Sequence, residues 1–348
     1  MQKCNSLCNF KIIIKQFYTK MKFDPEKFYK TQILKFERNY YKIITKNKKP
    51  SSLYEPCDYI IKSNGKRLRP FLVMISAMAV NGNISSVMNA ANAVELLHNF
   101  SLVHDDIMDN ADKRRGRTTL HIKYNQNTAI LAGDNLIALA YKNLLKDCKV
   151  MHKNVVEDFT QGIIEVCEGQ SMDTDFEKRK KVTIPEYITM IGKKTASLLE
   201  TCCSIGAQLG NGNSGEIKSL KKYGKYLGLA FQIQDDLLDI MANEKALGKK
   251  IGGDLIEGKK TYLLLQALEK AEGKDKKLLN KVITNKGIEK NQISTYKKLY
   301  EKLNVFEDAS KQVKKYTNYA LRSIKDIKNE KAKITLIWLA NSLTDRKK

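Results

Sequence analysis

Proline is scarce in this chain: five residues in 348, at positions 25, 50, 56, 70 and 185. Three of them precede or open the main body, so long stretches carry no helix breaker. β-branched alternation is missing over any long window, which removes the period-two signature of strands. No apolar run approaches the roughly 20 residues that a membrane-spanning helix requires. The longest near the start of the core is "FLVMISAMAV", Phe71 to Val80. The seven cysteines (4, 8, 57, 148, 167, 202 and 203) contain no C-x-x-C pair and no matching histidine spacing, which argues against a zinc site. An odd count scattered in this way suits a reducing compartment. No serine or cysteine is set beside a plausible base and orienter, so a covalent nucleophile is not expected.

The residues present describe a helical protein. Apolar residues make up 42% of the chain, enough for a sizeable core. "VMNAANAVELLHNFSLVHDDIMD" carries apolar residues at 87, 94, 97, 100, 103 and 107, a helical stripe. "TAILAGDNLIALAYKNLLK", "ITMIGKKTASLLETCCSIGAQLG" and "SLKKYGKYLGLAFQIQDDLLDIMA" read the same way, and "GNGNSG" (210–215) joins two helices. Pro70 suits the first turn of a helix. With no solenoid period and no Gly/Ser linker, residues 24–348 read as one all-α bundle. Residues 1–23 form a basic extension with no acid before Asp24; it is either an organellar transit peptide or a plain extension. The compartment expected is cytoplasmic, or mitochondrial or plastid in the first case. The formal charge of +24 invites a nucleic-acid reading. Lysine is spread along the whole chain rather than striped, so that reading is kept only as the alternative of another class.

"LVHDDIMDNADKRRG" (102–116) sets three aspartates in an apolar stretch and paired arginines beside them. On a helix Asp105 and Asp109 lie about 40° apart and roughly 6 Å along the axis, flanked by Asp106. Charge in an apolar wall is costly unless it is paired or coordinates a metal. A single acidic trio is more often a solvated face, but "FQIQDDLLDI" repeats the spacing with Asp235, Asp236 and Asp239. Two such faces across a cavity would suit several Mg²⁺ ions, which complete their shells with water and substrate phosphate. Basic groups at Lys66, Arg67 and Arg69, at Lys113, Arg114, Arg115 and Arg117, at Lys193 and Lys194, and at Lys249, Lys250, Lys259 and Lys260 would supply the phosphate contacts.

Together, "NGKRLRP", "LLHNFSLVHDDIMDNADKRRGRTT", "KTA" and "FQIQDDLLDI" followed by "GKKIGGDLIEGKKT" resemble the trans-isoprenyl diphosphate synthases, the polyprenyl synthetase family. The resemblance covers about residues 60–265 and is nearest to short-chain farnesyl or geranylgeranyl diphosphate synthases. It implies an all-α bundle around a deep central cavity, a homodimer, and condensation of isopentenyl diphosphate with an allylic diphosphate. It also implies about three Mg²⁺ ions per site, with Mn²⁺ as a substitute. Asp105, Asp109 and Asp235 would be direct metal ligands, with Asp106, Asp236 and Asp239 supporting them. Arg114, Lys194, Lys250 and Lys259 would contact the allylic diphosphate; Gly65, Lys66, Arg69, His98 and Arg115 would bind isopentenyl diphosphate. Thr195 and Gln232 would point oxygens at the forming carbocation. His98 lies two turns before Asp105 and shares its face; a buried histidine satisfied by a backbone carbonyl is the plainer alternative.

Thr118 stands where the family often has proline, and Asn64 where it often has glycine, leaving the loop after the arginine pair open. The residues four and five before the first aspartate, Ser101 and Phe100, resemble those of enzymes making fifteen- or twenty-carbon products. Geranylgeranyl diphosphate is the expected product, with farnesyl or longer polyprenyl diphosphates as alternatives. An ideal helix puts Phe100 about 140° from Asp105, so its role as a cavity floor rests on the resemblance alone, with core packing as the alternative. A C-terminal cover over the diphosphates from Arg346, Lys347 and Lys348 is a further expectation.

Overall fold

The computed structural model describes residues 23–44, 48–148, 152–241 and 252–344. The expectations for the N-terminal extension, Lys249, Lys250 and the final basic residues lie outside the described residues.

Local chemistry sets the helix starts. In α1 (Pro25–Tyr40), Asp24 accepts the N–H groups of Glu26 and Lys27 at 2.9 and 3.0 Å, and Pro25 presets the first turn. Next come α2 (Ser51–Ile61), which holds Pro56 in its interior, and α3 (Leu68–Ala79), with Pro70 in its first turn. Helix α4 (Met88–Met108) is buried without a break from Ala90 to Asn99, so it runs through the core rather than over it. After it stand β1 (Lys113–Arg114), β2 (Arg117–Thr118) and the short α5 (Leu120–Lys123). Asn125 caps α6 (Gln126–Asp147) by accepting from Thr128 N–H at 2.8 Å.

Helix α7 (Lys153–Lys178) leads to α8 (Ile184–Ile191), which opens on a Thr183–Glu186 capping box. A π-helical turn (Gly192–Ala196) joins α8 to α9 (Ser197–Leu209), and α10 (Ser214–Met241) follows. The C-terminal part contains α11 (Gly253–Ile256), α12 (Tyr262–Lys270), α13 (Gly273–Thr284), α14 (Ile293–Lys302), α15 (Val305–Ser323) and α16 (Glu330–Thr344).

One apolar core gathers Phe71, Leu96, Leu136 and Ile205 from α3, α4, α6 and α9. A second joins Ile233, Leu264, Tyr300 and Val313 from α10, α12, α14 and α15, and Tyr226 packs against both. Each fully buried Leu or Ile in these cores contributes about 1.5–3 kcal/mol. Helix α4 lies against α3 and α6, while α9 lies against α3, α7 and α10. The acidic ends of α4 and α10 are therefore carried by the most deeply packed helices.

The all-α expectation holds, with two refinements. The segment after the arginine pair, left open in sequence, is a two-stranded antiparallel hairpin with Lys113 opposite Thr118 and Arg114 opposite Arg117. The stretch from Ile188 to Gly210, read as one helix, is broken by the π turn at Gly192–Ala196. No described helix is long and apolar enough to cross a membrane.

Candidate active site

The two acidic clusters divide their carboxylates in the same way. Asp106 and Asp236, each 3% exposed, turn into the bundle, whereas Asp105, Asp235 and Asp239 are half-buried and Asp109 is exposed. A residue one step along a helix points 100° away, so the middle acid of each trio must leave the face its neighbours share. Asp106 accepts from Arg114 Nε at 2.5 Å. Asp236 accepts from the Tyr187 hydroxyl at 2.5 Å, Tyr262 N–H at 3.1 Å and Gln232 Nε2 at 3.3 Å. Burial still raises the Asp236 pKa, against these donors. Burial also pushes Asp105 up to about 6; Lys194 and Arg114 oppose the rise, and Asp109 and Asp106 add to it. Asp109 continues the register of α4, its N–H donating to Asp105 O at 2.8 Å.

An ammonium stands beside the first cluster. Lys259 Nζ lies 4.0 Å from Asp109 Oδ2 and 2.9 Å from Glu257 Oε2. Burial disfavours its charge, yet Asp109, Glu257 and Asp254 together raise its pKa. Asp254 in turn donates its N–H to Asp239 Oδ2 at 3.2 Å, and burial with Asp239 and Asp236 drives its own carboxyl well up. Lys259 thus stands beside the α4 cluster, and Asp254 beside the α10 cluster.

Further cations ring the acids. Lys194 pairs with Asp173 at 2.5 Å, and Lys193 with Glu168. Both lysines ride on the π turn, a local irregularity common at functional sites. Two glycines admit it: a Cβ at Gly169 would lie 2.2 Å from Lys194 N, and one at Gly228 would lie 2.5 Å from Ala196 Cα. On the same turn the Thr195 hydroxyl donates to Gln232 Oε1 at 2.9 Å, while Gln232 Nε2 faces Asp236. These two bonds fix the amide with its oxygen toward Thr195.

Arg69, His98 and Arg115 form a third group. Arg69 Nη1 lies 3.2 Å from His98 Nε2, and the buried Arg69 Nε has no hydrogen-bond partner among the described residues. Burial, then Arg69, Arg115, Arg114 and Arg67, hold His98 well below its ordinary pKa, so the ring is neutral. A guanidinium only donates, so Nε2 accepts and the proton sits on Nδ1. The plainer alternative, a backbone carbonyl as partner of this histidine, is replaced at Nε2 by the Arg69 contact. Arg115 Nη1 donates to Asn64 O at 2.8 Å and lies over Gly65, 2.8 Å from where a Cβ there would stand. Lys66 is exposed beside them. Arg67, in the same motif, braces the fold instead, since it is 2% exposed and pairs with Glu95 at 2.8 Å and Glu37 at 3.1 Å.

At the proposed floor, Phe100 is half-buried against the core, with its ring edge-on to His104 at 4.7 Å. The Ser101 hydroxyl donates to His98 O at 2.9 Å. Sequence reasoning missed Tyr187, Asp173, Asp254 and Gln170, whose buried Oε1 has no partner. Each meets the site from a distant part of the chain, and only "EGQSMDTD", three acids spaced on one helix, carried any local signal.

Among the described residues no three His, Cys, Asp or Glu side chains converge as an all-protein metal cage. The donor set nevertheless fits Mg²⁺, a hard cation held by one or two carboxylates with water and substrate phosphate. Burial raises the Asp105 pKa despite Lys194 and Arg114, so a cation bound beside it would offset the cost of keeping that carboxylate charged.

The polyprenyl synthetase family model matches residues 50–303. The short chain isoprenyl diphosphate synthase of Methanocaldococcus jannaschii is 44% identical over 247 residues, 70% of this chain and 75% of that protein. The geranylgeranyl diphosphate synthase of Saccharolobus solfataricus is 39% identical over 303 residues, 85% of this chain and 91% of that one. The crystal structure of geranylgeranyl pyrophosphate synthetase from Pyrococcus horikoshii superposes with a TM-score of 0.86 at 36% identity, covering 92% of this chain and 97% of that one.

Proposed function

Because this chain belongs to the polyprenyl synthetase family, we propose that it condenses isopentenyl diphosphate with allylic diphosphates and releases geranylgeranyl diphosphate. The observation that carries the reading is the pair of part-exposed carboxylate sets of one spacing, Asp105/Asp109 and Asp235/Asp239, with Lys259 4.0 Å from Asp109 and the charges of Lys194 and Arg114 acting on Asp105. Asp105, Asp109 and Asp235 would hold Mg²⁺, with Asp106, Asp236 and Asp239 in supporting positions, and the bound metal would supply charge neutralisation that makes the allylic diphosphate a better leaving group.

Arg114, Lys194 and Lys259 hold that diphosphate, so charge leaving with the C–O bond is met by fixed donors. Gly65, Lys66, Arg69, His98 and Arg115 hold isopentenyl diphosphate, the neutral His98 orienting Arg69. The Thr195 and Gln232 oxygens face the allylic cation as it forms. The isopentenyl double bond attacks that cation, and a proton passes to an oxygen of the departing diphosphate, leaving a chain five carbons longer.

The names of the relatives and the Ser101–Phe100 pair support a twenty-carbon product. Exposed Leu131 and Leu145, fourteen residues apart and therefore on one face of α6, support a homodimer. The test is incubation with Mg²⁺, labelled isopentenyl diphosphate and each allylic primer in turn, followed by sizing of the dephosphorylated alcohols. A twenty-carbon alcohol is expected; no condensation with any primer overturns the reading. Nucleic-acid binding that is salt-dependent and indifferent to Mg²⁺ would favour the other class.

A further inference from the structure

The geometry points to Tyr59 as the residue that positions the arginine hairpin for the homoallylic substrate. The inference rests on the functional reading above, in which Arg115 binds isopentenyl diphosphate.

The hairpin has little else to hold it. Its turn runs through Arg115 (φ 51°) and Gly116 (φ 76°), both left-handed, which the tight two-residue connection requires and which an arginine adopts reluctantly. Between the hairpin, α2 and α4 lies a small cleft of about 30 Å³, lined by Tyr59 and Ser63 on one side and by Asn99, Leu102 and Asp106 on the other. On the α4 side the strands are tied by the Arg114–Asp106 pair and by the Thr119 hydroxyl, which donates to Ala111 O at 2.7 Å.

On the α2 side Tyr59 makes the attachment by four contacts. The Arg117 guanidinium carbon lies 3.8 Å from the Tyr59 ring centre, and Lys123 Nζ lies 3.9 Å from it. The Tyr59 hydroxyl donates to Thr118 O at 2.9 Å, and its carbonyl accepts from Arg117 Nη1 at 3.0 Å. Five residues on, Asn64 O receives Arg115 Nη1. Because Arg117 stands opposite Arg114 in the ladder, fixing the second strand on the Tyr59 ring sets the height at which both Arg114 and Arg115 are presented. Two cations that would otherwise repel are thus both held against one half-buried ring. Tyr59 itself touches no substrate; it acts through Arg115.

The experiment compares Tyr59→Leu and Tyr59→Phe with the parent chain in steady-state condensation assays, with thermal melting as the control. Removing a contact made equally in the ground and transition states raises KM and spares kcat, so Tyr59→Leu is expected to raise KM for isopentenyl diphosphate about tenfold or more, with kcat within about threefold. The allylic KM should move less, since Asp106 holds Arg114 independently. Tyr59→Phe keeps the ring and should stay within about threefold of the parent in both constants. An unmoved KM in Tyr59→Leu overturns the assignment. So does a fall in kcat, both affinities and melting temperature together, which would mark a merely structural residue. A parent chain that condenses nothing overturns the functional reading and takes this assignment with it; a parent that condenses while Tyr59→Leu matches it overturns this assignment alone.

Discussion

Asp105 and Asp106 are neighbours in sequence and differ in environment, and the difference is testable by titration. The folded chain keeps the Asp105 proton to about pH 6, whereas its ordinary value is 3.8. Between those values the folded state binds more protons than the unfolded one, so this group's contribution to stability falls as pH rises through the window. The penalty is present in full above about pH 6 and is relieved by a bound cation. Mg²⁺ must displace the proton, so its affinity should drop up to about tenfold per pH unit below 6. Calorimetry in buffers of different ionisation enthalpy should find proton release on Mg²⁺ binding at about pH 5.5 and little at about pH 7.5. Equal release at both, or the same pattern in Asp105→Asn, would contradict the assignment. At the floor, Phe100→Ala should lengthen the product and Ser101→Phe shorten it; chromatography giving unchanged chain lengths for both would remove these residues from the length argument. The outer acids were legible because helical spacing alone puts them together. The partners of the middle acids were not: Tyr187 and the Tyr262 N–H reach Asp236 across the tertiary fold.

At the scale of elements, the π turn explains why "GKKTA" belongs to the site. Apolar periodicity cannot reveal one residue too many in a turn, so the sequence read as an uninterrupted helix there. The hairpin was hidden for a related reason, since its left-handed Arg115 breaks the rule that such positions go to glycine or asparagine. Helix identities, by contrast, followed from the scarcity of proline and the stripes of apolar residues. The close approach of α7 to the π turn gives a prediction. Gly169→Ala would drive a methyl to 2.2 Å from Lys194 N, and backbone cannot move aside as a side chain can. A stability loss of about 1–3 kcal/mol is expected, measurable by urea denaturation. At temperatures where the variant stays folded, the allylic KM should rise because Lys194 is displaced. A folded variant with parental kinetics would show that the turn tolerates the shift.

For the whole molecule, the question is what covers the apolar side chains that α6 leaves outside. Leu131 is 60% exposed and Leu145 56%, on a helix whose other face packs on α4. If two copies meet there, Leu131→Glu should shift sedimentation toward the monomer and leave the secondary structure intact; an unchanged sedimentation coefficient would send the search to another face.

The backbone contact at Gly169 has a practical corollary for redesign. Where main chain abuts main chain, the gap behaves as a fixed ruler, set by atoms that no amino-acid exchange can trim. Redesign that enlarges the residue at 169 should therefore meet resistance, whereas positions whose neighbours are only side-chain tips leave room to adjust.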